Sequence, residues 1–206
     1  MNDVILIDAG TGNLRSVQKA LDASHVGVSV TRTDDPQKVR AAKKVVLPGV
    51  GAFGDFMSGL RARGLEDAVK EVAGRGVPLL GICVGMQALF EVGEEMGTHA
   101  GLGLLAGKVT RFADSLAVKI PHTGWNQLEV RDEARLFDGI RSGAYVYFNH
   151  SYFCQAWNSS DVIAETDYGI RYTCAVQREN LFGVQFHPEK SQAVGLRILK
   201  NFLEAK

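Results

Sequence analysis

Residues 78–87, with the sequence PLLGICVGMQ, decide the fold class of this chain. The apolar run over residues 77–82 is typical of a short buried strand, and the helical spacing of the apolar residues that follow predicts a helix over residues 84–90. Cys83 therefore lies at the corner between a strand and a helix, inside a Gly-x-Cys-x-Gly pattern. This pattern is the thiol counterpart of the Gly-x-Ser-x-Gly nucleophile elbow, in which the nucleophile occupies a strained backbone position.

The two glycines of this corner have a steric explanation, because side chains at Gly81 or Gly85 would collide with the packed strand and helix. The first amides of the following helix point towards the sulfur of Cys83, where they favour a thiolate and offer donors to an oxyanion. The alternative is that Cys83 is a small buried residue of a core strand, as most free cysteines are. A catalytic role requires a base elsewhere in the chain.

The composition is that of an ordinary globular protein. The chain has 206 residues, 46% of them hydrophobic and 22% charged, which suits one domain over residues 1–206. Basic and acidic residues number 23 each, so the zero net charge favours neither nucleic acid nor a membrane surface as a partner. Three cysteines without paired spacing argue against a disulfide framework or a zinc site, and we expect neither a metal nor a cofactor. Without a recognisable signal peptide, the protein is expected in the cytosol.

Strands and helices alternate in the first half of the chain. Asn13 can cap a helix after the first strand, residues 34–36 form a predicted turn, and residues 53–73 have a helical pattern with a break near Gly64. Apolar runs predict strands over residues 4–7, 26–33 and 44–47. Such alternation predicts right-handed crossovers and a parallel sheet, whose ligands bind at the C-terminal ends of the strands. Residues 10–12, residues 49–51 and Cys83 all follow such strand ends.

The pattern changes from about residue 93 to loops and short strands. Residues 94–107 form a predicted Gly-rich loop, and a final helix is predicted over residues 192–205 with Ser191 as its N-cap. The short strands, many of them antiparallel, are predicted over residues 108–112, 127–130, 144–148, 152–156, 162–165, 172–177 and 181–186. We therefore predict one α/β domain with a β-rich C-terminal extension.

A candidate base follows the last of these strands, in the sequence His187-Pro188-Glu189. A histidine at the end of a buried strand, with a carboxylate two residues further on, supplies a base and the group that orients it. The proline between them stiffens the turn and fixes their separation. The alternative is a surface histidine beside a solvated glutamate.

Cys83 and the His-Pro-Glu sequence, in this order, resemble the catalytic residues of class I (triad) glutamine amidotransferases, and Val50-Gly51 resembles the oxyanion strand of that family. The resemblance implies the three-layer fold of the family, with helices on both faces of a mostly parallel sheet. It also implies hydrolysis of glutamine to glutamate and ammonia through a thioester on Cys83. His187 would take and return the thiol proton, and Glu189 would hold the imidazole.

Five blocks narrow the resemblance to the glutaminase subunits of imidazole glycerol phosphate synthase, from histidine biosynthesis. The blocks are residues 8–16, 47–53, 81–87, 121–126 and 186–191. This chain departs from the usual pattern at Ala9, where the subfamily usually has tyrosine, and at Val84, where it usually has leucine. The first change concerns the surface that faces the partner. The second leaves the chemistry intact, because Val84 takes part through its backbone N–H.

The resemblance also assigns binding residues. The oxyanion donors would be the N–H groups of Val84 and of the segment Val50-Gly51, and the glycines beside Val50 would let that peptide reorient when the partner is loaded. Ammonia would pass to a (β/α)₈ cyclase subunit in a heterodimer. The candidate substrate-binding residues are Gln87, His150, Ser151 and Tyr152, and the candidate interface residues are Gly10, Asn13, Trp125 and Lys190. The alternatives are a helix-surface role for Gln87, an ordinary strand over residues 150–152, and a core position for Trp125.

Three other functions compete with this interpretation. Residues 49–54 read Gly-x-Gly-x-x-Gly, as in dinucleotide-binding proteins, but they follow the third strand and leave Cys83 unexplained. A catalytically dead subunit of the same fold would not need the intact triad. A glutaminase for anthranilate or aminodeoxychorismate synthesis would keep the triad, and by resemblance only residues 121–126 argue against it.

Overall fold

The computed structural model describes residues 2–131 and 134–205, so residues 1, 132, 133 and 206 of the predicted domain lie outside it. The helices are α1 (Leu14–Ser24), α2 (Pro36–Arg40), α3 (Phe53–Ala62), α4 (Leu65–Gly74), α5 (Val84–Gln87) and α6 (Gln192–Glu204). The strands are β1 (Asn2–Ile7), β2 (Val28–Thr33), β3 (Lys44–Gly49), β4 (Leu79–Cys83), β5 (Phe90–Gly93), β6 (His99–Ala100), β7 (Leu105–Arg111), β8 (His122–Gln127), β9 (Glu129–Val130), β10 (Tyr145–His150), β11 (Tyr152–Ala156), β12 (Val162–Asp167), β13 (Arg171–Arg178) and β14 (Leu181–Val184).

A 12-stranded sheet runs in the order β2-β1-β3-β4-β14-β13-β11-β7-β5-β6, and β12 and β9 extend from β13. The strands from β2 to β14 are parallel, whereas β14, β13, β11 and β7 pair antiparallel. Strand β14 lies between β4 and β13 although it is the last strand of the described chain. The prediction of an α/β fold with a mostly parallel sheet and a β-rich extension is confirmed.

Helices cover both faces of the parallel half. The crossover from β1 through α1 moves one way along the sheet, and the crossover from β3 through α3 and α4 moves the other way. Right-handed connections therefore put α1 on one face and α3 with α4 on the other. Helix α6 packs on α1, and α2 packs on α4. Strands β3 and β4 are buried at every residue, which suits a sheet covered on both sides.

Lys44, at the start of β3, is a buried cation that faces the end of α6. Its ammonium donates to the carbonyl oxygens of Phe202 and Ala205. Burial lowers the pKa of Lys44. The C-terminal end of a helix carries partial negative charge, so the ammonium stabilises the seam between α6 and the sheet.

Strands β8 and β10 form a separate two-stranded antiparallel sheet, here called the ribbon. His150 is paired with His122 in its ladder, and Tyr147 with Trp125. The ribbon sits beside the C-terminal end of β14, where His187 N–H donates to the carbonyl oxygen of Tyr147 over 2.9 Å. Within residues 2–131 and 134–205, no helix is long and apolar enough to cross a membrane.

Several local predictions were wrong. Helix α5 ends at Gln87 because Phe90 begins β5, and the spacing of apolar residues does not distinguish a buried helix from a buried strand. Residues 36–40 form α2, which Asp35 caps by accepting from the N–H of Gln37, so the predicted turn is the start of a helix. The predicted loop over residues 94–107 contains β6 and the start of β7.

Two predicted caps also differ from the structure. Asn13 and Ser191 occupy N-cap positions, but neither side chain bonds a helix amide. The hydroxyl of Ser191 instead donates to the carbonyl oxygen of His187 over 2.7 Å and accepts the N–H of Tyr147 over 3.0 Å. Ser191 therefore ties the turn that carries His187 to the ribbon.

Candidate active site

The corner between β4 and α5 is strained at Cys83 and has no room for side chains beside it. Cys83 has φ 55° and ψ −113°, a conformation that residues other than glycine rarely adopt. A Cβ at Gly85 would overlap the carbonyl oxygen of Leu47, and a Cβ at Gly81 would overlap the backbone of Gly85. The steric explanation for the two glycines is confirmed. This backbone presents the sulfur at the C-terminal edge of the sheet.

His187 reaches this edge because β14 is the parallel neighbour of β4, with Val184 opposite Ile82. A short 3₁₀ turn, Pro188–Lys190, follows the histidine and brings Glu189 back towards it. Nδ1 of His187 lies 2.9 Å from Oε1 of Glu189, and both side chains are at least 95% buried. The geometry suits a base held by a carboxylate.

The electrostatics favour a protonated His187. Burial lowers its pKa, but the neighbouring Cys83 and the hydrogen bond with Glu189 outweigh burial and raise the pKa to about 10. Within the described residues, Oε2 of Glu189 is buried and has no hydrogen-bond partner. The carboxylate therefore directs its charge at the imidazole. At neutral pH the ring is a cation, the form that a base has after it has taken a proton from a thiol.

A cavity of about 300 Å³ opens beside the sulfur. Among the residues singled out from the sequence, those that line it are Val50, Gly51, Cys83, Val84, Gln87, His150, Ser151, Tyr152, His187 and Lys190. Val50 and Gly51 reach it because Gly49, at the end of β3, is opposite Cys83 in the sheet. Gly51 has φ 93°, and both Val50 and Gly51 are exposed.

Gln87 is buried against the cavity, and its amide group is already committed. Nε2 donates to the carbonyl oxygen of Tyr152 over 3.0 Å and to Oε1 of Gln185 over 3.1 Å. These two bonds use both amide hydrogens, so the side-chain carbonyl oxygen is the group that can serve a ligand. An acceptor at this place suits the N–H₂ of a carboxamide.

The comparisons with known proteins agree with this geometry. The family model "Glutamine amidotransferase class-I" matches residues 5–205. The chain belongs to the class I glutamine amidotransferases. This amidotransferase is 52% identical over 204 residues to imidazole glycerol phosphate synthase subunit HisH of Moorella thermoacetica, covering 99% of this chain and 95% of the relative. It is 50% identical over 202 residues to the same subunit of Salinibacter ruber, covering 96% and 92%.

A solved structure titled as a glutamine amidotransferase has the same fold. Its TM-score is 0.76 at 22% identity, and the match covers 98% of this chain and 97% of the other. The fold of the amidotransferase is therefore shown both by sequence and by shape.

The side chain of His150 is not free to bind a ligand. Its Nδ1 lies 2.8 Å from the carbonyl oxygen of Tyr152, and its Nε2 lies 3.0 Å from the hydroxyl of Tyr172. Burial lowers the pKa of His150 to about 3, so the ring is neutral. Any contribution of residues 150–152 to substrate binding would come from their backbone or from Ser151 and Tyr152, which are half-buried beside the cavity.

Of the four candidate interface residues of the amidotransferase, Gly10 and Asn13 follow β1, Lys190 follows β14, and Trp125 lies on the ribbon. The ammonium of Lys190 lies 5.4 Å from the ring centre of Tyr147, and Trp125 meets the same ring edge-on at 6.1 Å. Trp125 is 45% exposed, so the alternative of a core position is wrong. Gly10 and Asn13 are exposed in the turn after β1 and line another cavity.

Three residues near the site carried no prediction. Glu95 lines the cavity and caps α3, accepting the N–H of Phe53 over 2.7 Å, and Asn149 also lines the cavity. Nε2 of Gln185 lies 3.7 Å from the sulfur of Cys83. A polar residue in an otherwise apolar strand, two positions before a candidate base, was a usable signal for Gln185. Glu95 gave none, because it lies in a stretch that was predicted as loop.

Among the residues that the structure describes, no group of three or more His, Cys, Asp and Glu side chains converges in a way that could hold an ion. Of the acidic side chains at this site, Glu95 caps a helix and Glu189 is bonded to His187.

Proposed function

We propose that this amidotransferase hydrolyses glutamine to glutamate and ammonia, and that it supplies the ammonia to a cyclase subunit that makes imidazole glycerol phosphate in histidine biosynthesis. The buried arrangement of Cys83, His187 and Glu189 at the edge of a cavity of about 300 Å³ carries the proposal. Relatives with about half of their residues identical, matched over nearly their whole length, support the choice of pathway.

The reaction starts with attack of the sulfur on the carboxamide carbon of glutamine. The carbonyl electrons move to oxygen, and this oxyanion is met by the N–H of Val84 and by N–H groups of the segment Val50-Gly51. Loss of one such donor typically costs about 10²–10³ in rate. His187 gives its proton to the leaving nitrogen, ammonia departs, and a thioester to Cys83 remains.

Hydrolysis of the thioester completes the cycle. His187, now neutral, takes a proton from water as the oxygen attacks the thioester carbon. The carbon–sulfur bond breaks, the new carboxyl group loses its remaining proton to solvent, glutamate is released, and the sulfur and the imidazolium are restored. Glu189 keeps Nδ1 as the hydrogen-bonded nitrogen and stabilises each imidazolium, so Nε2 is the nitrogen that faces the reaction.

Three side chains suit the polar groups of glutamine. The free carbonyl oxygen of Gln87 is an acceptor for the carboxamide N–H₂, and the carboxylate of Glu95 suits a positively charged α-amino group. Lys190 lines the same cavity and supplies positive charge for an α-carboxylate. The site would then bind both the side-chain carboxamide and the α-amino and α-carboxylate groups of free glutamine.

The cyclase subunit, a (β/α)₈ barrel in a heterodimer, would cover the edge that bears Gly10, Asn13, Trp125 and Lys190. Exposed aromatic rings are enriched at protein interfaces, and Trp125 and Tyr145 are exposed on the ribbon. The segment over residues 49–51 lies at the same edge. Contact with a loaded partner would turn its N–H groups towards the oxyanion.

The test measures glutamate release from glutamine by this chain alone, with the purified cyclase subunit, and with that subunit and its phosphoribosyl nucleotide ligand. We expect strong activity only in the loaded complex, and none with Cys83→Ala in any mixture. Activity that ignores the cyclase would keep the triad and move the protein to another pathway, such as anthranilate synthesis. An inactive loaded complex would leave a structural subunit.

A further inference from the structure

Gln185 is a buried residue that contacts the nucleophile without lining the cavity. It follows β14, and its side-chain N–H₂ lies 3.7 Å from the sulfur of Cys83, within the range for a hydrogen bond to sulfur. Its other end accepts from Gln87, and Gln87 also donates to the carbonyl oxygen of Tyr152. Because a backbone carbonyl can only accept, these contacts fix the orientation of both amides, and Gln185 turns its donor towards the sulfur.

The same carbonyl also accepts from His150, which is linked through Tyr172 to a second histidine, His122. Nδ1 of His150 lies 2.8 Å from it and must carry the hydrogen, so Nε2 of His150 accepts the hydroxyl hydrogen of Tyr172 over 3.0 Å. The hydroxyl oxygen of Tyr172 then accepts from Nδ1 of His122 over 2.9 Å. Nε2 of His122 is left as an acceptor for the amide of Asn126 at 3.4 Å. Every donor and acceptor in the series is thereby determined.

This assignment requires both rings to be neutral, and their burial makes them so. Desolvation lowers the pKa of His122 to about 4, and that of His150 to about 3. The ring of His122 is also stacked between Phe148 and Tyr168, at centroid distances of 4.6 and 3.8 Å. The polar series is therefore rigidly packed as well as fully bonded.

The series joins the two sheets of the molecule. His122 and His150 face each other across the ribbon ladder, whereas Tyr172 belongs to β13 of the large sheet. Asn126, at its outer end, is next to the exposed Trp125, and the ribbon also holds the base through the bond from His187 N–H to Tyr147. The sulfur-to-ribbon chain is defined as Gln185, Gln87, the Tyr152 carbonyl, His150, Tyr172, His122 and Asn126.

We infer that Gln185 positions the sulfur of Cys83, and that the sulfur-to-ribbon chain behind it holds Gln185 in place. A donor aimed at the sulfur limits its movement and favours the thiolate form over the thiol, whether or not a substrate is bound. The inference deepens the proposed function, on which it rests for the identity of the substrate alone. Gln185 and Tyr172 do not line the cavity, so their loss should act first on the reactivity of the sulfur, and Gln87 keeps its bond to the Tyr152 carbonyl when Gln185 is replaced.

Three variants test the inference. Gln185→Met removes the donor at similar length, and Tyr172→Phe removes one shared oxygen and keeps the ring. Tyr168→Phe is the matched control, because the hydroxyl of Tyr168 donates to the carbonyl oxygen of Lys119 and takes no part in the sulfur-to-ribbon chain. The readouts are the rate of alkylation of Cys83 by iodoacetamide, followed by peptide mass spectrometry, and kcat and KM for glutamine in the loaded cyclase complex.

We expect alkylation and kcat to fall by roughly tenfold in Gln185→Met and by roughly threefold in Tyr172→Phe, with a smaller change in KM than in kcat. Tyr168→Phe should match the wild type. If Gln185→Met and Tyr172→Phe both keep the wild-type rate of alkylation and the wild-type kcat, the inference is wrong. A rise in KM without a fall in the rate of alkylation would also overturn it. If Gln185→Met does not fold, Tyr172→Phe alone decides. If the protein never releases glutamate but the variants show the expected fall in alkylation, the proposed function is refuted and the inference stands.

Discussion

Two neighbouring strand ends of this molecule use glycine for opposite reasons. After β4, Gly81 and Gly85 are glycines because the carbonyl oxygen of Leu47 and the backbone of α5 leave no space for a Cβ. After β3, Gly51 has φ 93° and nothing within 4 Å of the place where a Cβ would be. The first strand end is held by packing, whereas Gly51 lies in open space. In the proposed function, the first would fix the nucleophile and the second would turn donors towards the oxyanion.

The largest expected effect comes from replacing the nucleophile at the fixed end. Cys83→Ala and Cys83→Gly should both lower glutaminase kcat in the loaded complex by about 10⁴ or more. The glycine variant should be the more stable of the two by about 1–3 kcal/mol, because glycine relieves the strain at φ 55°. Urea unfolding measures the difference. Equal stabilities would show that the elbow stores no backbone strain.

The next largest effect is expected on stability, from a methyl group at the packed glycine. Gly85→Ala would press a Cβ against the Leu47 carbonyl, and we expect the free energy of unfolding to fall by about 3 kcal/mol or more. The matched control is Gly74→Ala at the end of α4, where a Cβ meets nothing and should raise stability by about 0.4–1 kcal/mol. A Gly85→Ala protein as stable as the wild type would mean that the elbow is not tightly packed.

Acid should weaken the fixed side of the site, since His150 is bonded to residues behind the elbow. The folded-state pKa of His150, about 3, is below the ordinary 6.5, so the unfolded chain takes up the proton more readily. The difference in pKa has no effect on stability above pH 6.5. As the pH falls towards 3, it lowers the free energy of unfolding by up to about 1.4 kcal/mol per pH unit.

Urea unfolding of the wild type and of His150→Gln at pH 7, 6 and 5 measures how much of the loss of stability in acid comes from His150. The variant should lose less stability between pH 6 and pH 5 than the wild type, because the background from carboxylates is common to both proteins. Parallel pH profiles would show that His150 takes up a proton equally well in the folded protein.

The smallest effect is expected at the free strand end. Gly51→Ala introduces a Cβ into open space, so it should cost only the positive φ, about 1–2 kcal/mol in the free energy of unfolding. Thermal unfolding beside Gly85→Ala compares the two ends directly. A loss as large as that of Gly85→Ala would mean that both strand ends are packed alike, and the contrast between them would fail.

The elbow was predictable because its cause is local. All of its signals lie within residues 77–90: the apolar run of the strand, the helical spacing that follows, and the two glycines. The backbone strain at Cys83 follows from them. The length of α5 was not predictable, because Phe90 is equally buried in a helix or in β5. Helix α2 was missed for a different reason, since Asp35-Pro36 signals both a turn and a capped helix start.

The meeting of Cys83 and His187 depends on long-range pairing. Neither residue indicates that β14 will insert between β4 and β13, and only the family resemblance brought the two together in advance. Gln185 and Glu95 show the same limit. Their roles come from neighbours far away in sequence, the sulfur of Cys83 for Gln185 and the N–H of Phe53 for Glu95.

Strand β14 occupies the middle of the sheet although the ribosome makes it after all the other strands. Until residues 181–184 emerge, β4 is an open edge, and the Cys83 thiol has no imidazole beside it. Lys44 likewise waits for the carbonyl oxygens of α6 before its charge is satisfied. A nascent chain therefore cannot release ammonia before residues 181–189 have emerged, and termination before that point leaves an inactive chain with an aggregation-prone edge instead of an unregulated glutaminase.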